Sequence, residues 1–232
     1  MLLSIETATS VCSVALHSEE NIIAYEEIHL EKSHSGYLTV IIDQMMKNCQ
    51  VISENIEAIA VSEGPGSYTG LRIGVSTAKG LCYAWDKPLI SVSTLEAIAA
   101  NAIDHLKYLA SGKMLFCPML DARRMEVYTA IYKSDLSQIK AIHPLVVESS
   151  SFDNYLQDYK ILYFGNGAEK CKDVLVNDNL IYVGEYLPNA KYVGLIANKA
   201  LREQQFADLA YFEPFYLKAY QAKKPKKNKL LS

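Results

Sequence analysis

Apolar and β-branched residues alternate with short polar turns in the first half of the chain, and two longer stretches have helical spacing. The predicted elements are strands at 2–6, 11–16 and 22–30, a helix at 38–49, a strand at 56–61, a helix at 69–85 and a strand at 88–92. Residues 93–96 then read Ser-Thr-Leu-Glu, which is the pattern of a capping box at the start of another helix. This half is therefore predicted to be a mixed α/β unit.

The same layout begins again near Gly112. The second set comprises strands at 114–120, 126–132 and 139–148, a helix at 152–159, a strand at 161–164, a glycine turn at 165–167 and a helix from about 168. Each half opens with a strand, an acidic residue, a turn and another strand. We predict one α/β unit used twice, with a first lobe at 1–112, a second lobe at 113–222 and a basic tail at 223–232.

A glycine-rich turn joins the fourth predicted strand to the helix that follows. Residues 63–74 read E-G-P-G-S-Y-T-G-L-R-I-G. A helix N-terminus with glycines and hydroxyl side chains suits a phosphate, because its N–H groups are unpaired and the backbone is open to close approach. A P-loop is excluded, since Gly70 is followed by Leu71 and Arg72 rather than by lysine. A capped strand-to-helix turn without any ligand explains the same residues equally well.

The predicted helices at 38–49 and 69–85 are apolar over more of their circumference than one core-facing stripe requires. Their apolar and small residues cover arcs of roughly 180° and 220°. Small residues one turn apart, such as Gly70 and Gly74, allow close packing of another helix. The excess indicates either a surface for a partner protein or two helices enclosed within a larger core.

Composition narrows the classes of protein that fit. The chain has 232 residues and a net charge of -3, so contact with nucleic acid requires a local basic patch such as the five lysines in 223–229. Five cysteines without a C-x-x-C pair favour a reducing compartment. No apolar run reaches the roughly 18 residues of a membrane span, and Glu6 interrupts the N-terminal run, so we expect neither a signal peptide nor a membrane anchor. A cytoplasmic location is expected.

Candidate catalytic chemistry is sparse. The five histidines include no H-x-x-x-H pair, so no metal site is expected, and no G-x-S-x-G turn is present for a hydrolase. Glu6 and Asp121 each end the first strand of a lobe, where an acid positions a metal or a water near phosphates. Turn chemistry at a strand end is the alternative for both.

Several of these stretches together resemble the TsaB (YeaZ) family. The matching segments are Ile5–Thr9, Val14–Leu16, His34–Ser35, Gly64–Gly74, Lys79–Leu81, Val92–Leu95, Asp121–Tyr128 and, before the tail, Glu213–Leu217. The long G-P-G-S-Y-T-G-L-R-I-G match is the most specific. Two departures are Glu6, where the family usually has aspartate, and Tyr68, where phenylalanine is commoner.

The resemblance implies an actin-like, sugar-kinase-type α/β fold with two ribonuclease-H-like lobes. It also implies a non-catalytic subunit that pairs with TsaD, the transferase that makes threonylcarbamoyladenosine next to the anticodon of tRNA. TsaE joins that pair, and a TsaB alone forms homodimers through the same face. The chain itself would require no cofactor, although ATP or ADP would be expected at the interface of the complex.

Two sets of residues follow from combining the resemblance with the patterns above. The expected partner interface comprises Tyr37, Leu38, Ile41, Met45, Gly70, Ile73, Gly74, Thr77, Ala78 and Leu81. The expected vestigial phosphate or nucleotide site comprises Glu6, Thr7, Thr9, Gly66, Ser67, Thr69, Asp121, Gly165 and Gly167. No residue is predicted to be catalytic or to bind a metal.

Three alternatives remain open at this point. The acids and the Gly165–Gly167 turn are also compatible with an autonomous nucleotide-dependent kinase. A metallopeptidase is a weaker alternative, raised because relatives were once labelled glycoproteases. The lysine-rich tail is explained either by contact with tRNA phosphates or by a solubilising role alone.

Overall fold

A computed structural model describes residues 1–29, 34–108 and 113–217 of the chain. The predicted join near Gly112 and the basic tail at 223–232 lie outside these residues. The first half contains β1 (Leu2–Glu6), β2 (Val11–Ser18), β3 (Asn21–His29), α1 (His34–Asn48), β4 (Ala58–Gly64), α2 (Tyr68–Trp85), β5 (Leu89–Ser93) and α3 (Thr94–Leu106). The predicted elements of this half are confirmed, with boundaries that shift by a few residues.

The strands of this half form one sheet in the order β3-β2-β1-β4-β5. β1 and β2 pair antiparallel, with Leu2 opposite His17, and β1 and β4 pair parallel, with Leu2 opposite Ala58. Because β1 lies at the centre of the sheet, its residues are buried on both faces. The carboxyl ends of β1 and β4 are neighbours, which brings the turn after β1 to the turn after β4.

The second half repeats this topology. It contains β6 (Met114–Asp121), β7 (Glu126–Tyr132), β8 (Gln138–Val146), α4 (Asp153–Leu156), β9 (Lys160–Phe164), β10 (Leu180–Tyr182) and α5 (Ala190–Arg202). Its sheet has the order β10-β9-β6-β7-β8, with β6 parallel to β9 and antiparallel to β7. The prediction of one α/β unit used twice is confirmed, and so is the predicted α/β fold class.

The two helices predicted on either side of β9 are shorter than expected. The helix predicted at 152–159 is a single turn at Asp153–Leu156, and the helix predicted from about 168 is wrong, since only a 3-10 turn forms at Glu169–Cys171. Ala168, Cys171 and Leu175 are buried at helical spacing. The chain turns again at Asn177, whose side chain accepts a hydrogen bond from Asn179 N, before a longer helix is possible.

Helix α3 lies between the two sheets. Leu95, Ile98 and Ala102 pack with Phe116 and Phe164 of the second sheet, whereas Ala97 faces the first sheet. The opposite face of the first sheet is covered by α1 and α2. Among the residues that the structure describes, no helix is long and apolar enough to cross a membrane.

Helix α5 was not predicted, although the sequence carries its signals. Asn189 caps it by accepting a hydrogen bond from Tyr192 N, and Val193 and Ala197 supply a buried stripe. The helix falls within the predicted second lobe, yet it packs against the first sheet beside Leu2 and Ala60. A helix of the predicted second lobe thus contributes to the core of the first sheet, and the division into domains stays a prediction.

The contact between α5 and the first sheet is polar as well as apolar. Ser4 Oγ donates to Ala190 O at 2.8 Å, and Ala190 N donates to Ser13 Oγ at 2.9 Å. Gly194 passes so close to the His17 ring that a Cβ there would lie 2.0 Å from Nε2. Burial lowers the pKa of His17, so this ring is neutral at pH 7.

Candidate functional site

The glycine-rich turn after β4 packs on the turn after β1 of the same chain. Ser67 N donates to Ala8 O at 2.7 Å. A Cβ on Gly66 would lie 2.5 Å from Ala8 O, and a Cβ on Gly70 would lie 2.1 Å from Thr7 O. The glycines are therefore required for close approach to main-chain carbonyls of the turn after β1.

The first turn of α2 also uses its own chain for its hydrogen bonds. Ser67 is the N-cap and accepts from Gly70 N at 3.3 Å, and Thr7 Oγ1 donates to Gly70 O at 2.8 Å. Gly74, one turn later, faces the Thr7 side chain, with Oγ1 2.3 Å from the position of a Cβ. The structure thus brings Thr7, Gly66 and Ser67 together as predicted, but as a contact between two turns; Thr69 is exposed beside it.

Glu6 lies under this contact and has no access to solvent. Its Oε1 accepts a hydrogen bond from Ala8 N, and its buried Oε2 faces the buried hydroxyl of Ser62 on the adjacent strand, without a hydrogen bond of ordinary geometry to either atom. Burial raises the pKa of Glu6 to about 7 against the opposing backbone hydrogen bond from Ala8. Thr9 is buried nearby, and its hydroxyl accepts from Val11 N at 3.2 Å. Glu6 is therefore an internal carboxyl group, and its part in a phosphate or nucleotide site stays a prediction.

The second glycine turn has equivalent contacts in the second sheet. A Cβ on Gly165 would lie 2.5 Å from Met119 O, and one on Gly167 would lie 2.7 Å from Leu120 C. Asp121, at the end of β6, is half exposed and forms an ion pair with Lys170. Its N–H donates to Asn166 Oδ1 at 3.0 Å. Asp121, Gly165 and Gly167 meet as predicted, again around main-chain atoms of their own sheet.

In both glycine turns the glycines lie against the main-chain carbonyls of residues 7, 8 and 119, so each turn has a packing role within its own sheet. Phosphate binding at either turn stays a prediction. Among the described residues, no group of three or more His, Cys, Asp or Glu side chains is placed to hold a metal ion. Whether nucleotide binds elsewhere on the chain stays a prediction.

We expect the isolated chain to show no ATP hydrolysis above background, because the glycines of both turns are packed against main-chain atoms of their own sheet. The measurement is phosphate release from ATP by the purified chain. Asp121→Ala should give the same rate as the parent, since this carboxylate is paired with Lys170. ATP turnover that disappears in Asp121→Ala would establish the kinase alternative instead.

The predicted partner-interface residues divide into a buried and an accessible group. Six are buried in the chain's own core: Leu38, Ile41, Met45, Gly70, Gly74 and Ala78. Packing on the first sheet thus accounts for much of the wide apolar arc of both helices. Four are accessible to a partner: Tyr37 on α1, and Ile73, Thr77 and Leu81 on α2. The three residues of α2 lie at helical spacing, and we call them the α2 face.

Two depressions adjoin the α2 face. A shallow one at the start of α2 is lined by residues that include Tyr68, Arg72 and Thr77. The other, which we call the α1–α2 groove, lies towards the end of α2. Its apolar lining consists of Ile42, Met46, Val51, Ile52, Leu81 and Trp85.

Sequence reasoning missed how the segment 206–217 holds α2. Lys79 Nζ donates to Ala210 O and Phe212 O at 3.2 and 2.9 Å, and Phe215 N donates to Glu63 O at 2.7 Å. The rings of Tyr216 and Tyr68 lie 5.0 Å apart. A lysine in the middle of a largely apolar helix was the available signal, together with the Glu213–Leu217 stretch noted in the sequence.

A protein-family model described as "TsaD: tRNA N6-adenosine threonylcarbamoyltransferase" matches residues 26–226. This match begins within β3 and includes β4, β5, the whole second sheet and α5.

Individual relatives align over most or half of the chain. A Bacillus subtilis protein named tRNA threonylcarbamoyladenosine biosynthesis protein TsaB is 29% identical over 231 residues, which is 95% of each chain. The Escherichia coli protein of the same name is 34% identical over 134 residues, covering 58% of this chain and 55% of its own. The solved structure of YeaZ from Pseudomonas aeruginosa superposes with a TM-score of 0.78 at 24% identity, over 93% of this chain and 99% of that one. The last comparison shows a shared fold.

Proposed function

Since this chain belongs to the TsaB (YeaZ) family, within the wider family that the TsaD model describes, we propose that it acts in the biosynthesis of threonylcarbamoyladenosine in tRNA. Its role in this proposal is that of a non-catalytic subunit, which binds TsaD and activates transfer of the threonylcarbamoyl group to adenosine. The alignment with the Bacillus subtilis TsaB over 95% of both chains supports assignment to the pathway. The reaction would take place in the cytoplasm, with tRNA bound by the complex.

The observation that carries the non-catalytic role is the contact between the two turns of the first sheet. Ala8 O accepts from Ser67 N at 2.7 Å, and Thr7 O lies where a side chain on Gly70 would begin. The glycine-rich turn thereby serves to hold the fold together. We place any ATP or ADP of the complex at the interface with TsaD rather than within this chain.

The α2 face is the surface that we assign to TsaD. Ile73, Thr77 and Leu81 are partly accessible on a helix whose other side is fixed to β4 and to the segment 206–217. A helix that is held rigidly and presents small and aliphatic side chains suits helix-to-helix packing with little loss of conformational entropy. A homodimer of the free chain would use the same face, and TsaE would join the complex through contacts that we do not place on α2.

Ile73→Asp should reduce the affinity for TsaD at least about tenfold, because it places a charge in the middle of the α2 face. The measurement is calorimetric titration of TsaD with the parent and with the variant. In parallel, threonylcarbamoylation of tRNA by TsaD is assayed with and without each form. The parent should activate TsaD, and the variant should do so only at raised concentration.

The matched control is Ile23→Asp. Ile23 is 48% exposed on β3, the edge strand of the first sheet farthest from β5, so the same substitution there leaves the α2 face intact. Thermal unfolding of both variants checks that Ile73→Asp remains folded. Equal TsaD affinities of the folded Ile73→Asp variant and the parent would contradict the assigned surface, and a parent without effect on TsaD would contradict the proposed function.

A further inference from the structure

The α1–α2 groove leaves apolar side chains uncovered. Ile52, which follows α1, is 59% exposed, and Met46, Leu81 and Trp85 are partly exposed. The groove has a volume of about 470 Å³, which is within the range of sites that bind a peptide segment or a small molecule. Ile52, Leu81 and Trp85 are thus available to the apolar side chains of a binding segment.

The charged side chains that line the groove are two acids and one lysine, which gives a net negative charge. Asp43, Lys47 and Glu54 contribute to its lining, and Lys47 is paired with Asp43 at 2.7 Å. Glu54 forms no ion pair with any lysine or arginine among the residues that the structure describes; its carboxylate accepts from Ser53 Oγ at 3.0 Å. An occupant with both aliphatic and cationic side chains therefore matches the groove.

The described part of the chain ends beside the same helix. Phe215 N is bonded to Glu63 O, and Tyr216 stacks near Tyr68 in the first turn of α2, so Leu217 lies at the start of this helix. From Tyr68 to Trp85 the helix rises about 25 Å at ~1.5 Å per residue. The residues from 218 to 230 span up to about 40 Å when extended at ~3.3 Å per residue. The chain beyond Leu217 is long enough to reach the groove.

The segment beyond Leu217 contains the aliphatic and cationic side chains that match the groove. Residues 223–229 contain five lysines, and Leu230 and Leu231 follow directly. We propose that the segment 223–231 binds in the α1–α2 groove of its own chain, with the leucines against Ile52 and Trp85 and the lysines near Glu54. This assigns the basic tail an intramolecular binding site.

Occupation of the groove would compete with a partner on α2. Leu81 belongs both to the groove lining and to the α2 face. Removal of the tail should therefore raise the affinity for TsaD. This consequence rests on the proposed function, whereas binding of the tail to the groove does not.

Trp85 is the only tryptophan of the chain and lines the groove, so its fluorescence reports on the groove directly. We compare the full chain with a variant that ends at Ala222, at 50 mM NaCl. The emission maximum of the full chain should lie at shorter wavelength, because the leucines shield Trp85 from water. At 500 mM NaCl the difference should shrink, since the lysine contacts are screened.

A synthetic peptide of residues 218–232 tests the same contact between separate molecules. Added to the shortened chain, it should restore the emission of the full chain with a Kd of about 1 mM or tighter, which suffices when the segment is tethered. A peptide with Leu230→Ser and Leu231→Ser should not. Full-length Glu54→Lys should resemble the shortened chain.

Three results would overturn the proposal. The first is identical Trp85 emission of the full and shortened chains at low salt. The second is equal binding of the parent and double-serine peptides. The third is an emission shift that depends on protein concentration, which would identify a second copy as the occupant. If TsaD does not bind the chain while the emission results hold, the tail site stands and only the proposed function fails.

Discussion

Replacing Gly70 with alanine should lower the free energy of unfolding by about 3 kcal/mol, although Gly70 lies in a helix where alanine is normally the better residue. A Cβ at this position would lie 2.1 Å from Thr7 O, and the main chain of the buried β1–β2 turn has little room to move away. The contact between the two turns must therefore open or α2 must shift. Urea unfolding at pH 7 measures the change, and a fall in Tm of roughly 6–12 °C should accompany it for a chain of this size.

Gly80→Ala is the matched control in the same helix. Gly80 is exposed in α2, and a Cβ there would meet no atom within 4 Å. This substitution should raise the free energy of unfolding by about 0.5–1 kcal/mol, because alanine restricts the unfolded chain. If both substitutions change stability in the same direction, the close approach of Thr7 to Gly70 does not explain the glycine.

Most of the fold was predictable because its strands are short, apolar and separated by polar turns. The sequence of β6 to β9 also repeats the pattern of β1 to β4, so the duplication was visible before the structure. The wrong predictions concern the length of helices and the elements they pack against, because hydrophobic periodicity determines neither. Buried residues at helical spacing after β9 indicated a helix, yet the chain turns at Asn177 after a single 3-10 turn.

The candidate site was only half predictable, for a specific reason. A glycine is needed wherever the backbone comes close to something, but the sequence does not say what that is. At Gly66 and Gly70 a phosphate and a main-chain carbonyl make the same demand, and the structure places carbonyls there. The helix cap at Ser67 was predictable from local residues alone, because its partner, Gly70 N, is three residues away.

The width of the apolar arc on a helix likewise does not show what covers that arc in the folded protein. The arcs of α1 and α2 indicated more surface than one stripe, and part of that surface is enclosed by the first sheet. On α2 one flank contacts the segment 206–217, which follows α2 by more than a hundred residues. Contacts that distant in sequence are not encoded in the periodicity of the helix. Of the interface residues predicted on α2, only those of the α2 face are therefore accessible to a partner.

Glu6→Gln should stabilise the protein at pH 8 by about 3 kcal/mol. The pKa of Glu6 is raised from 4.5 to about 7, so folding favours the protonated form. The stability that this group contributes is fully present below pH 4.5, declines as the pH rises, and is lost above about pH 7. A shift of that size corresponds to about 3 kcal/mol. Glutamine keeps the shape of the protonated acid, accepts the hydrogen bond from Ala8 N and offers Ser62 Oγ a donor.

The test is the difference in free energy of unfolding between Glu6→Gln and the parent, from urea titrations at pH 8 and pH 5. It should fall from about 3 kcal/mol at pH 8 to about 1 kcal/mol at pH 5, where Glu6 is protonated in the folded parent and mostly ionised in the unfolded parent. Glu26→Gln, at an exposed position of β3, should change stability by less than about 0.5 kcal/mol at either pH. If Glu6→Gln destabilises the protein at pH 8, the carboxylate is ionised and must have a cationic or donor partner. The acid would then be a binding group, and the contact between the two turns would have to open to admit its ligand.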